Sequence, residues 1–278
     1  MVLSDGCTRY WTFDDDSGVF QEASVGENIY LWSGAYGSAS ALDVGDISTE
    51  TAVIDKASDF NGTSYNFYSG ADAFGEHGAS GSLAFWVRVD SFAVNGMIIG
   101  NNWNDSSYYP ACFQVPISDA NNNQVRFYLE GNSSAGGINA TDLNANEWYH
   151  FVFSWNTVSG MTLYKNGEFE GEDSFNHASG NSAQRWVLGT HFKDWNTIDG
   201  PLNGKVDEFG IWNRVLSSSE ISELFEATSG GTSYPFGTDV TVDQEPNGLT
   251  LTQNTIAVTT PAGAGSNSNM YIIGEGVF

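Results

Sequence analysis

Apolar and polar residues alternate along most of the chain in short runs, the pattern of β-strands that bury one face. The clearest run is Gly81–Val89, which places Leu83, Phe85, Val87 and Val89 on one face and Ala84, Trp86 and Arg88 on the other. Roughly a dozen such runs lie between Thr8 and Asn213, with turns between them, and this spacing predicts a β-sandwich.

Two Asn-Gly pairs mark turns, because both residues accept positive φ angles. Asn166–Gly167 separates Met161–Tyr164 from Phe169 and predicts a tight hairpin. Asn61–Gly62 follows the run Ala52–Phe60, and we expect Tyr65–Tyr68 to pair back across it.

One stretch predicts a strand that leads directly into a helix. Gly204–Arg214 is rich in β-branched and aromatic residues, and Gly210 within it indicates a kink or a close backbone approach. Ser217 and Glu220 have the spacing of a helix capping box. The apolar face of the short helix then consists of Ile221, Leu224 and Phe225.

The C-terminal part of the chain differs in composition. Thr228–Thr238 is rich in Gly, Ser and Thr, and this composition predicts a linker. Beyond it we expect four short strands, at Val240–Val242, Leu249–Thr252, Ile256–Thr259 and Tyr271–Ile273. These runs hold too few apolar residues for an independent core. We therefore expect this tail to pack on its own domain or on a neighbouring subunit.

The charge balance narrows the choice of partners. The 278 residues include 34 Asp and Glu but only 9 Lys and Arg, which gives a formal net charge of −25. A field of this sign repels nucleic acid and anionic membranes, so we expect neither as a partner. No window is apolar enough for a membrane span, and Met1–Asp5 lacks the basic start of a secretory signal. The two cysteines, Cys7 and Cys112, form either one bridge or two free thiols.

Four segments together resemble the laminin-G-like, concanavalin-A-like jelly-roll superfamily: YWTFDD at Tyr10–Asp15, GSLAFWVR at Gly81–Arg88, EWYHFVFSWN to MTLYKNGE at Glu147–Glu168, and Asp199–Phe225. The resemblance implies an all-β fold, with two antiparallel sheets packed face to face and one short helix outside them. It spans roughly Tyr10–Phe236. We therefore expect a jelly-roll domain at residues 1–236 and a C-terminal β extension for anchoring or oligomerisation at residues 237–278.

The resemblance also implies a structural calcium, which in this superfamily ties the first strand to a late one. By position, Asp14 or Asp15 and Asp207 match its ligands. Calcium prefers carboxylates and backbone carbonyl oxygens, and a glycine-rich turn such as Asn61–Gly62 supplies the latter. The alternative is that Asp14–Asp16 is a solvated turn and Asp207 a surface carboxylate.

Aromatic residues in predicted loops form a candidate carbohydrate site, because sugars bind aromatic faces flanked by polar groups. The candidates are Trp103, Tyr108 and Tyr109 in one loop and His191 and Trp195 in another. Loop aromatics also plug the ends of sandwiches or contact neighbouring subunits, and both alternatives stay open.

Two groups of carboxylates are candidates for glycoside hydrolysis. Glu168, Glu170 and Glu172 alternate as in related jelly-roll hydrolases, but they directly follow a hairpin turn and lack the Glu–x–Asp pattern. A charged strand edge that discourages edge pairing explains them better. Asp207 and Glu208 are adjacent, which predicts opposite faces of a strand and so excludes a shared substrate.

These features predict a non-enzymatic protein without catalytic residues. The sequence resembles virion proteins of tailed phages, especially from marine habitats, in three respects. It shows no secretion signal, its composition is acidic, and its tail is expected to need a partner surface. The expected role is a structural or decoration protein of the capsid or tail that presents a carbohydrate-binding module to glycans of the host surface. Expected partners are other virion proteins or further copies of this chain. The alternatives are a secreted glycan-active hydrolase and a bacterial surface adhesion module.

Overall fold

The computed structural model describes residues 3–15, 20–33, 40–41, 49–62, 66–69, 79–92, 96–100, 113–118, 123–129, 137–174, 187–194, 197–236, 249–252 and 255–258. By the density of contacts, the chain divides into two compact units, Leu3–Phe236 and Gly237–Phe278.

The described part of the first unit consists mainly of β-strands. In chain order they are β1 (Cys7–Trp11), β2 (Phe20–Gln21), β3 (Ala23–Val25), β4 (Ile29–Ser33), β5 (Ser40–Ala41), β6 (Thr49–Thr51), β7 (Lys56–Asn61), β8 (Asn66–Ser69), β9 (Ser80–Val89), β10 (Gly96–Gly100), β11 (Phe113–Ser118), β12 (Gln124–Leu129), β13 (Ile138–Ala140), β14 (Trp148–Asn156), β15 (Gly160–Lys165), β16 (Glu168–Asp173), β17 (Val187–Leu188), β18 (His191–Asp194), β19 (Thr197–Asp199) and β20 (Asn203–Trp212). The helix α1 (Ser218–Ser229) follows β20.

These strands form two large antiparallel sheets. The first has the order β16-β15-β14-β9-β20-β1-β3, with β7 also paired to β20 and β6 paired to β7. The second has the order β13-β12-β11-β10-β17-β8-β4-β2, with β5 paired to β4. The small sheet β18-β19 completes the unit. The predicted two-sheet antiparallel fold with one short helix is confirmed.

The main core lies between the two sheets. In β9, Leu83, Phe85, Val87 and Val89 all belong to this core, as the alternation predicted. Phe85 stacks on Phe209 of β20 at 5.8 Å between ring centroids, and Phe127 of the second sheet lies 6.2 Å from Phe85. The alternating aromatic residues of the sequence therefore pack against one another, both within the first sheet and between the two sheets.

A second apolar cluster covers the outer face of the first sheet. Helix α1 buries Ile221 and Leu224 in it, together with Tyr10 and Trp212 of the sheet. Both halves of the predicted capping box are present, since Ser217 accepts a hydrogen bond from the Glu220 amide and the Glu220 carboxylate accepts one from the Ser217 amide. The predicted helix outside the sheets is confirmed.

The two Asn-Gly turns behave differently. Asn166 and Gly167 have φ angles of +52° and +80° and join β15 to β16 in the expected hairpin. The prediction at Asn61–Gly62 is wrong, because β7 belongs to the first sheet and β8 to the second. The Gly62 amide donates instead to the Leu202 carbonyl at 2.9 Å, so the chain leaves the first sheet at this turn.

The second unit contains one described hairpin, formed by β21 (Leu249–Thr252) and β22 (Thr255–Val258) with Leu249 opposite Val258. The predicted strands at Val240–Val242 and Tyr271–Ile273 lie outside the described residues. Among the described parts of both units, no helix is long and apolar enough to cross a membrane.

Candidate functional site

A bulge interrupts the central strand β20. Its neighbour β9 pairs Trp86 with Asp207 and Ala84 with Gly210, so three steps along β20 match two along β9. Glu208 is the extra residue, and its φ of +49° is rare for a residue with a side chain. On the other side of β20, pairing with β7 ends at Val206 and pairing with β1 begins at Phe209, so the bulge fills this gap.

The bulge places both carboxylates on the outer face of the first sheet. Val206 and Phe209, on either side of the pair, both point into the core between the sheets. Asp207 lies opposite Trp86, whose ring stacks on Phe225 of helix α1. The predicted opposite faces for Asp207 and Glu208 are therefore wrong, because the extra residue shifts the alternation by one position.

Asp207 is completely buried. Its Oδ2 accepts hydrogen bonds from the Val53 and Ile54 amides, each 3.1 Å long. Its Oδ1 is also buried and has no hydrogen-bond partner within the described part of the chain. Burial, followed by the charge of Glu208, raises the pKa of Asp207 to about 9.

Glu208 joins three segments that are distant in sequence. Its Oε2 accepts hydrogen bonds from the Tyr10 hydroxyl at 2.5 Å and from the Ser233 hydroxyl at 2.7 Å. Burial raises the pKa of Glu208 to about 7, although these two hydrogen bonds oppose the shift. Burial, together with Glu208, raises the pKa of Tyr10 well above its usual range.

The predicted calcium ligands are only partly brought together. Asp14 lies close enough for its charge to raise the pKa of Asp207, and its Oδ1 accepts a 3.0 Å hydrogen bond from the Lys56 amide. Asp15 instead accepts a 2.6 Å hydrogen bond from the Glu22 amide. Among the described residues, no three Asp, Glu, His or Cys side chains are grouped so that they could hold a metal ion.

The predicted carbohydrate residues are mostly beyond what the structure describes. Trp103, Tyr108, Tyr109 and Trp195 lie outside the described residues, as does Cys112. His191, predicted in a loop, begins the strand β18 and lies opposite Asp199 in β19. Cys7 has a free thiol that donates to the Arg9 carbonyl, and burial raises its pKa to about 12.

The acidic run in β16 is a charged strand on one border of the first sheet. A bulge breaks its alternation, since Leu163 lies opposite Gly171 and Tyr164 lies opposite Phe169, which leaves Glu170 as the extra residue. Glu170 pairs with Lys165 at 2.9 Å. The interpretation of this run as a solvated strand agrees with the exposure of Glu168 and Glu172.

Two exposed aromatic residues were not among those that the sequence predicts to bind carbohydrate. Tyr30 in β4 has 46% of its surface exposed and Phe169 in β16 has 54%. Both stand in strands, whereas the aromatic residues predicted from the sequence to bind carbohydrate stand in predicted loops. The available signal was the placement of Phe169 between Glu168 and Glu170, since strand residues between charges are often solvated.

His150 was also not predicted to be functional, because it forms no catalytic pattern in the sequence. It is buried beneath helix α1, with its ring 5.1 Å from Trp86 and 5.9 Å from Phe225 between centroids. Its Nδ1 has no hydrogen-bond partner in the described structure. Burial lowers the pKa of His150 to about 3, so the imidazole is neutral.

Comparisons with solved structures give the same fold at low identity. Domain 4 of AbnA, a GH43 extracellular arabinanase from Geobacillus stearothermophilus solved in complex with arabinotriose, has a TM-score of 0.57 and 18% identity over 78% of this chain and 97% of that one. A structure of botulinum neurotoxin type C, whose cell entry depends upon interaction with two ganglioside molecules, has a TM-score of 0.57 and 14% identity over 81% of this chain and 52% of that one.

Sequence comparisons agree with the fold. The human adhesion G-protein coupled receptor D1 is 33% identical over 86 residues, and its Bos taurus counterpart matches equally. The match covers 30% of this chain but only about a tenth of either receptor. A model of the laminin G type from the concanavalin A-like lectin/glucanases superfamily matches residues 50–222, more than half of the chain. This chain belongs to the concanavalin A-like lectin/glucanases superfamily.

Proposed function

We propose that this chain is a non-catalytic carbohydrate-binding module. The observation that carries the proposal is an exposed aromatic ring on the outer face of a sheet in this family's fold, Phe169, with polar side chains at neighbouring positions. Rings of this kind present an apolar face to a sugar while hydroxyls and carboxylates bond its edges. The fold neighbour solved with arabinotriose and the toxin that interacts with gangliosides support the same ligand class.

The placement of the carboxylates favours binding over hydrolysis. Asp207 and Glu208 are buried in the outer layer, where Ser233 and Tyr10 cover Glu208. Glu170 is engaged by Lys165, and the bulge removes it from the alternation with Glu168. A pair of carboxylates flanking a bound sugar, as glycoside hydrolysis requires, is therefore not formed by these residues.

The proposed setting is the surface of a virion, on the capsid or tail of a tailed phage, where the module contacts glycans of the host surface. Its support is the net charge of −25 and the small unit Gly237–Phe278. A two-stranded hairpin such as β21–β22 is marginal in isolation and gains stability from a further surface. We assign that surface to other virion proteins or to further copies of this chain.

A structural calcium is part of the proposal. Its support is the buried Asp207 Oδ1, an oxygen without a hydrogen-bond partner among the described residues, with Asp14 close by. Carboxylate oxygens suit calcium, and a bound calcium would neutralise part of the charge that burial makes costly. Asp14 and Asp207 would hold it, whereas the Asp15 carboxylate accepts a hydrogen bond from the Glu22 amide.

A surface adhesion module is the second candidate. The observation that favours it is the 33% identity to a segment of an adhesion receptor. This module would bind glycans as a monomer and would not need Gly237–Phe278, whereas the virion role requires the tail for assembly.

The mass of the protein in solution separates these candidates. We expect the full chain to form a defined oligomer and a chain ending at Phe236 to be a folded monomer that retains glycan binding. A full chain that stays monomeric at high concentration would contradict the virion role and favour the adhesion module. Release of reducing sugars that is lost in Glu170→Gln would contradict both and indicate a hydrolase.

A further inference from the structure

The hairpin β15–β16 carries an aromatic pair on the outer face of the first sheet. Tyr164 and Phe169 are opposite each other, with ring centroids 5.6 Å apart in an edge-to-face arrangement. Tyr164 is half-buried and packs against the outer apolar cluster, while Phe169 remains 54% exposed. One ring is thus anchored and supports a second ring that faces solvent.

Polar side chains stand at the next position along the same face. Thr162 lies two residues from Tyr164 in β15, and Glu172 is opposite Thr162 in β16. Because alternate strand residues share a face about 6.7 Å apart, the hydroxyl and the carboxylate border the aromatic pair. Thr162 is half-buried and Glu172 is exposed. An aromatic face bordered by a hydroxyl and a carboxylate is the chemistry that binds a sugar ring.

The hairpin is held in place before any ligand binds. Asn166 in its turn accepts a hydrogen bond from the His150 amide at 2.9 Å and donates one to the His150 carbonyl at 2.8 Å. Gly167 packs so closely on Phe225 of helix α1 that a Cβ there would lie 3.1 Å from the ring. A fixed surface loses little conformational entropy when a ligand binds.

Charge selects the class of sugar. Lys165 is the single basic residue between Gly160 and Asp173 in the sequence, and it is already paired with Glu170. Glu168 and Glu172 are exposed carboxylates on the same hairpin, and the chain as a whole carries −25. Sulfated, sialylated or uronic sugars would be repelled by this surface.

We propose that Tyr164, Phe169, Thr162 and Glu172 form a binding platform for a neutral glycan on the outer face of the first sheet. This inference rests on the proposed carbohydrate-binding function and adds its site and its preference for uncharged sugars. The ring of Phe169 stacks on the sugar, Tyr164 supports that ring, and Thr162 and Glu172 bond the sugar hydroxyls.

Affinity electrophoresis and calorimetry of the full-length protein test the platform. The probes are three neutral polysaccharides (linear arabinan, β-1,3-glucan and mannan) and two anionic ones (alginate and chondroitin sulfate), each at 0.15 M salt. The variants are Phe169→Ala, Phe169→Trp and Glu172→Gln. The control is Val158→Ala, which shortens an 84% exposed apolar side chain in the turn between β14 and β15.

We expect the wild type to bind at least one neutral probe more tightly than either anionic one. Phe169→Ala should weaken this binding on the order of ten-fold, because an aromatic contact contributes about one factor of ten. Glu172→Gln should weaken it less, and Phe169→Trp and Val158→Ala should stay within a few-fold of wild type. All variants should keep the melting temperature of the wild type, since the altered side chains are exposed.

The contrary outcomes are distinct. If the wild type and Phe169→Ala bind a glycan equally tightly, the platform is overturned and the carbohydrate-binding function remains. Preference for the anionic probes overturns the charge argument and with it the proposed ligand. Loss of oligomer mass in Phe169→Ala without loss of glycan binding also overturns the platform, because the ring is then a contact between proteins. A wild type that binds none of the five probes overturns the function itself.

Discussion

The Tyr10 hydroxyl donates a 2.5 Å hydrogen bond to Glu208, 198 positions away along the chain, and both groups are buried in the outer layer of the first sheet. The bond depends on the bulge in β20, because only the extra residue turns Glu208 away from the core. Ser233 donates to the same carboxylate oxygen. The start, the central strand and the end of the first unit therefore meet at one carboxylate.

Tyr10→Phe should destabilise the first unit by about 1–3 kcal/mol, the usual range for removing one hydrogen bond from a buried carboxyl group. Ser233 remains as the second donor to the same oxygen. The ring packing of Tyr10 against Trp212 and Phe236 is retained by phenylalanine, so the loss reports the hydroxyl. Urea unfolding at pH 7 measures the effect.

The matched control for this prediction is Tyr149→Phe. Tyr149 donates a 2.9 Å hydrogen bond to Glu147, but at an exposed position where water replaces the lost partner. We expect the free energy of unfolding to change little in this variant. Equal losses in both variants would contradict the idea that burial makes the Tyr10–Glu208 bond matter.

His150 should make the protein less stable in acid. Its folded-state pKa of about 3 lies below the ordinary value of 6.5, so the folded protein holds the imidazole neutral while the unfolded chain binds a proton. The contribution is fully present above pH 6.5 and is lost as the pH falls from 6.5 towards 3, by up to about 1.4 kcal/mol for each pH unit.

Comparison of wild type with His150→Phe isolates this effect, because the phenylalanine ring suits the contact with Trp86 and Phe225 and does not titrate. The difference in unfolding free energy between the two proteins should change between pH 7 and pH 4.5 in favour of the variant. Parallel pH profiles would show that His150 titrates normally in the folded state.

Much of the fold follows from local patterns. The alternation in Gly81–Val89, the Asn166–Gly167 hairpin and the capping box at Ser217 and Glu220 are each encoded by neighbouring residues, and each is confirmed. The predicted pairing across Asn61–Gly62 is wrong because an Asn-Gly pair indicates a turn but does not determine which sheet the next strand joins. That choice depends on the distant contact with Leu202.

The site is less visible in the sequence. Adjacent residues in a strand ordinarily face opposite sides, so nothing in Val-Asp-Glu-Phe reveals the bulge that turns both Asp207 and Glu208 outward. The bulge arises where the pairing of β20 changes from β7 to β1, which is a property of the sheet. The sequence predicts either a kink or a close backbone approach at Gly210, and a Cβ there would lie 2.6 Å from the rings of Trp212 and Tyr10, which supports the close approach.

Calcium should raise the melting temperature of a chelated sample. A ligand that binds only the folded state stabilises it by about 2.7 kcal/mol at one hundred times its dissociation constant. Asp207→Asn should abolish the calcium-dependent shift, whereas Asp15→Asn, which alters a carboxylate engaged by Glu22, should retain it. Scanning calorimetry with and without millimolar calcium measures both. An unchanged melting temperature of the wild type would refute the calcium proposal.

The central claim is that this chain binds carbohydrate without cleaving it. The most direct measurement is calorimetry of the full-length protein with neutral and anionic polysaccharides, followed by an assay for reducing ends in the same samples. We predict saturable binding to a neutral glycan and no new reducing ends after prolonged incubation. Absence of binding to every polysaccharide, or the appearance of reducing ends, would contradict the claim.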